Sequence, residues 1–109
     1  MFDIFNDEGK QFSITLNESS LLEIAFSLGW SKGYVKGTCS KERIEDLRQS
    51  LADYQEVKIS SIEFINEDGN IDFEVKRTST GNSEITTILI PSMIDDDRIE
   101  FNFQGVIKL

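Results

Sequence analysis

The sequence predicts an α+β fold, mostly antiparallel β, with about seven or eight strands in a curved sheet or a two-layer sandwich and one docked α-helix over about residues 40–54. Three observations carry this reading. Only Ser40 to Tyr54 has a clear helical period. The other apolar segments mostly alternate with polar residues at strand period, and turn sequences rich in Gly, Asn and Asp separate them. A chain of 109 residues with 39% hydrophobic content suits one domain, 1–109, around one core.

Within the helix, Ile44, Leu47, Leu51 and Tyr54 recur at helical spacing and form one narrow apolar stripe, with Glu42, Glu45, Arg48, Gln49 and Asp53 on the other sides. Ser40 is placed as an N-cap, and Glu42 lies in the first turn, where the helix dipole favours an acid. A lone helix of this length is marginal in water, so the stripe must dock on something. Each large apolar side chain buried there contributes roughly 1.5–3 kcal/mol, enough for four anchors to fix it on a sheet.

Phe2 and Ile4, then Phe12, Ile14 and Leu16, are two short strands joined by the turn sequence Asn6-Asp7-Glu8-Gly9-Lys10. Leu22, Ile24, Phe26 and Leu28 alternate in the same way, and Gly29 to Gly33 turns the chain into Tyr34 to Thr38, a second hairpin that leads to the helix. After the helix, Val57 and Ile59 share one parity while Ile62 and Phe64 carry the other, which predicts a β-bulge at Ser60-Ser61. Asn66 to Asn70 contains an Asp-Gly turn signal, and Ile71, Phe73 and Val75 form the return strand of a third hairpin. Ile85 to Ile90 is apolar enough to be covered on both faces. Pro91 ends it. Ile99 to Leu109 is the cleanest alternation in the chain, with Gly105 suggesting a bend.

Twenty acids against eleven bases leave a formal charge of −9, which repels nucleic acid and favours basic partners. Residues 55–109 carry eleven acids and five bases, net −6, and residues 1–54 only −3. No run is long and apolar enough to span a membrane, and the acidic N-terminus is unlike a signal peptide, so a cytoplasmic protein with no membrane contact is expected. The single cysteine, Cys39, is read as a small half-buried residue.

The chain has no histidine, which removes Ser-His-Asp and Cys-His schemes and histidine zinc sites, and one cysteine cannot build a thiolate cage. Gly29 to Gly37 lacks the spacing of a phosphate loop. Asp95-Asp96-Asp97 lacks the alternate ligands, glycine and distal glutamate of a calcium loop. Trp30 is read as covering the edge of the core. No catalytic residue, cofactor or metal ligand is expected, and the chain is not expected to be an enzyme.

Leu21 to Ile90, with the hairpin ending Gly33-Tyr-Val-Lys-Gly37, the helix pattern of Ser40, Ile44, Leu47, Leu51 and Tyr54, and the strands Glu56 to Ile65 and Ile71 to Lys76, resembles the small immunity proteins that protect bacteria from contact-delivered toxins. The similarity is to the WapI-like type and to the CdiI-like proteins of contact-dependent growth inhibition. At its end the chain departs from that pattern, with the strand Ile99 to Leu109 where a second helix would stand. The resemblance implies an antitoxin that neutralises a cognate basic toxin domain, a nuclease such as an RNase, as a 1:1 complex, covering the active-site cleft with an acidic face. Charge density nominates Glu67, Asp68, Asp72, Asp95, Asp96, Asp97 and Glu100 as the toxin-binding residues. The alternatives are a small-molecule or peptide-binding β module without catalysis, and a nucleic acid mimic.

Overall fold

A computed structural model describes residues 2–17, 20–91 and 97–108, the last of these by its backbone. Among the described residues, eight strands and one helix follow one another as β1 (Phe2–Phe5), β2 (Gln11–Leu16), β3 (Leu21–Ser27), β4 (Lys32–Thr38), α1 (Lys41–Gln55), β5 (Ser61–Ile65), β6 (Ile71–Arg77), β7 (Ser83–Leu89) and β8 (Ile99–Lys108). All eight strands belong to one open antiparallel sheet in the order β4-β3-β2-β1-β8-β7-β6-β5. Each half is therefore a four-strand meander. The first and last strands join the halves, and α1 carries the chain from one outer edge of the sheet to the other.

Alternation decides which residues enter the core. On β3 the buried set is Leu22, Ile24 and Phe26; on β6 it is Ile71, Phe73 and Val75. These inner faces meet because the sheet folds over on itself. The Phe12 ring of β2 lies 5.7 Å from Phe73 of β6, and the Phe26 ring of β3 lies 5.5 Å from Phe101 of β8. The fold is thus α+β, with mostly β content, as the alternation predicts.

Helix α1 docks through the expected stripe, since Ile44, Leu47, Leu51 and Tyr54 are all buried. Ser40 caps it, its hydroxyl accepting the Arg43 N–H. The far end differs from expectation. There is no bulge at Ser60-Ser61, because Val57 to Ile59 are not strand: they form the exit from the helix, and β5 begins at Ser61. The Val57 N–H donates to the Tyr54 carbonyl and the Lys58 N–H to the Asp53 carbonyl, the two bonds of a Schellman cap. That cap forces Val57 to a φ of 62°, a conformation costly for a β-branched side chain. Val57 is 68% exposed, so truncating it loses little burial. Val57→Gly is expected to raise the unfolding free energy by about 0.5–1 kcal/mol, the relief of left-handed strain less the entropy of a glycine. An unchanged denaturant midpoint would show that the helix ends some other way.

The strand Ser83–Leu89 is covered on one face only. Thr86 is exposed and Ile88 half-buried, while Ser83, Ile85, Thr87 and Leu89 point into the core. Its apolar run reflects one outward isoleucine, not a second buried face.

Candidate partner-binding surface

The seven acids picked out by charge density do not form one group. Asp95 and Asp96 lie outside the described residues. Glu67 and Asp68 sit in the β5–β6 turn and are spent on holding the fold. One Glu67 oxygen accepts the Ser40 N–H at 2.8 Å, and the other takes the Arg43 guanidinium at 2.9 Å. Asp68 accepts the Thr38 hydroxyl at 2.5 Å. Both carboxylates therefore tie this turn to the start of α1 and the end of β4. An acid at a helix N-terminus offsets its unpaired N–H groups.

The same turn carries two fasteners that alternation could not reveal. Asn66 and Asn70 are buried and bonded to each other at 2.7 Å. The Asn66 amide donates to the Thr38 carbonyl and the Asn70 amide to the Lys36 carbonyl, so side chains close the gap beside β4 where no strand pairs with it. Gly37 makes this approach possible: a Cβ there would stand 2.5 Å from the Asn66 amide nitrogen.

Asp72 and Glu100 belong to a different surface, the outer face of β5 to β8. Register sets three rungs across it. The first is Ile65, Asp72, Ile88 and Glu100; the second is Glu63, Glu74, Thr86 and Asn102; the third is Ser61, Lys76, Glu84 and Gln104. Period-two geometry thus gathers five carboxylates on these rungs beside one rung cation, Lys76, which reaches Glu84 at 3.6 Å. Asp97 is exposed just before β8, and Arg98 lies 3.9 Å from Glu100.

Glu63 and Glu74 are directly opposed, an unfavourable placement for like charges. A hydrogen bond with the Glu74 side chain, then the charge of Glu74, some burial and the charge of Asp72 raise the Glu63 pKa above its ordinary value of 4.5. The folded state binds this proton more tightly than the unfolded chain does. The pair's contribution to stability is therefore largest in acid and declines as pH rises from 4.5 through the folded value.

The outer face of the other half is not acidic. Asp3 and Glu23 are offset there by Lys32 and Lys36, and the pairings among β1 to β4 add only uncharged residues to those rungs, among them Phe5, Gln11, Ser13, Ala25, Ser27 and Tyr34. The small residues Ser13, Ala25 and Ser27 floor a shallow groove of about 460 Å³. Trp30 does not cover the core edge as the sequence suggests: it is 87% exposed at the tip of the β3–β4 hairpin. Cys39 is more deeply placed than expected, only 2% exposed, and desolvation, followed by the charge of Glu67, raises its thiol pKa.

Comparison with family models, curated proteins and solved structures finds no match for this chain. Function must therefore be read from the surface itself. No helix among the described residues is long and apolar enough to cross a membrane, and no group of three or more Cys, Asp or Glu residues there could hold a metal ion.

Proposed function

We propose that the protein is an immunity protein, an antitoxin acting in the cytoplasm, which forms a 1:1 complex with a basic toxin nuclease and covers its substrate-binding cleft. The observation that carries this reading is the outer face of β5 to β8, where Glu63, Asp72, Glu74, Glu84 and Glu100 surround Ile65 and Ile88. A cleft built to bind phosphates is basic, and a rigid sheet studded with carboxylates complements it without needing to order itself on binding. Ile65, 52% exposed, and half-buried Ile88, on either side of Asp72 along one rung, supply apolar contact within the charged field. The charge speeds encounter and fixes orientation; exclusion of RNA or DNA follows from occupancy, and no catalysis by this chain is involved. Glu67 and Asp68 act behind this face by holding the turn.

The test is binding kinetics against a basic nuclease domain encoded by a neighbouring gene, and absence of any such gene would count against the reading. Changing Asp72→Asn, Glu74→Gln and Glu100→Gln together is expected to slow association about tenfold or more at low salt and to flatten its salt dependence, with a smaller change in dissociation. Cells co-expressing that toxin should survive with the native protein. Association unaffected by the triple substitution would remove the acidic face from the contact.

A further inference from the structure

A second surface, independent of the acidic face, lies on the open edge of β4. The Leu28 N–H donates to the Ser31 carbonyl at 2.7 Å, closing a two-residue loop. Bonded and non-bonded pairs alternate along an antiparallel hairpin from that closing pair. Lys32, Tyr34, Lys36 and Thr38, which face Ser27, Ala25, Glu23 and Leu21, are therefore the non-bonded members. Their N–H and C=O groups point away from β3, toward the open side of the sheet. The asparagine bonds confirm this phase, because the two carbonyls they reach are those of Lys36 and Thr38. Among the described residues nothing pairs with the Lys32 carbonyl, the N–H and carbonyl of Tyr34, or the Lys36 N–H.

Those four groups match one residue pair of an antiparallel ladder centred on Tyr34, with one flanking bond on each side. We infer that this half of β4 accepts an added strand from an extended acidic peptide of the pattern acid-x-apolar-x-acid. The acids would lie opposite Lys36 and Lys32, and the apolar residue opposite Tyr34. Lys32 and Lys36 project from the outer face two residues either side of Tyr34, which is 63% exposed. Glu23, 3.9 Å from Lys36, offsets that charge only loosely. Opposite charges paired across strands favour this peptide. The same lysines disfavour a second copy of the chain: two-fold pairing about Tyr34 would set Lys32 against Lys36 twice, a common guard on sheet edges. The apolar side chain packs on the Tyr34 ring at the lip of the 460 Å³ groove, so main-chain bonds give affinity and this contact gives selectivity.

The test uses isotope-labelled protein and acetyl-Gly-Glu-Thr-Leu-Thr-Glu-Gly-amide. Saturating peptide is expected to slow hydrogen exchange of the Tyr34 and Lys36 amides about tenfold or more while leaving the β5–β8 face unshifted. Methylating the peptide nitrogen of its leucine, which needs no protein variant, should weaken binding at least about tenfold by removing one ladder bond. The Lys32→Glu, Lys36→Glu protein should instead prefer the peptide with lysines in place of glutamates. Equal binding of the methylated peptide, shifts confined to other surfaces, or protection of Tyr34 by self-association of the free protein would each overturn the assignment. Failure here would leave the toxin contact untouched, since none of these residues lies on the acidic face.

Discussion

Replacing Tyr54 by Ala is expected to lower the unfolding free energy by about 3–5 kcal/mol, a large share of the roughly 5–15 kcal/mol that holds a domain folded. Tyr54 is fully buried, and three elements converge on it. Its ring meets Phe2 of β1 edge-on at 6.2 Å. The Arg77 guanidinium of β6 lies over the ring at 4.5 Å and donates to the Tyr54 carbonyl at 2.6 Å. The phenol oxygen shares a hydrogen bond with the buried Ser83 hydroxyl of β7 at 2.7 Å. Truncation removes the ring from between the two halves of the sheet, leaves Ser83 without this partner and takes the face from under Arg77. Tyr54→Phe separates these terms. It keeps the packing and loses the hydroxyl, so about 1–2 kcal/mol should go. Denaturant titration of both variants is the measurement. A cost below about 1 kcal/mol for Tyr54→Ala would mean that the end of α1 is not locked between β1, β6 and β7.

Local physics is legible in this sequence, and long-range assembly is not. The stripe on α1, the Ser40 cap and the hairpin turns are written within short windows, and each lies where spacing predicts. The exit from α1 is hidden because a Schellman cap usually announces itself with glycine, and here Val57 takes the left-handed position. A valine and an isoleucine two apart then look like a strand. The candidate surface was half legible. Charge density finds Asp72 and Glu100 but weighs Glu67 and Asp68 equally, although these two are consumed by Ser40, Arg43 and Thr38. Glu63 and Glu84 escape a reading by charge density because each is the one acid of its strand, and Glu74, two residues from Asp72 on β6, because it lies outside the dense acidic runs. They become neighbours only through the register of β5, β6 and β7, and strand parity combined with pairing would have been the signal. The pairing of β1 with β8 joins residues about a hundred positions apart, and no local pattern encodes it.

That joint supplies the other large expected effect, from a single methyl group. Strand β8 pairs with β7 from Ile99 to Gly105 and with β1 from Val106 to Lys108, so Gly105 stands where the strand passes from one half of the sheet to the other. A Cβ on Gly105 would lie 2.8 Å from the Phe5 carbonyl carbon, closer still to its oxygen, and 3.0 Å from Ile4. The obstruction is backbone, which cannot rotate aside as a side chain can. Gly105→Ala must therefore push β1 off β8, loosening the Asn6 amide bond to the Gln104 carbonyl and exposing Ile4, which is fully buried. The expected loss is about 3 kcal/mol or more, at the upper end for overpacking, with hydrogen-exchange protection failing first in β1. Gly33→Ala is the internal comparison. Its Cβ would meet only the tip of the Phe26 ring at 3.2 Å, a side chain that can yield, so the cost should stay below about 1 kcal/mol. If the two substitutions prove equally mild, β1 and β8 do not cross in close contact at Gly105, and the two halves of the sheet are joined some other way.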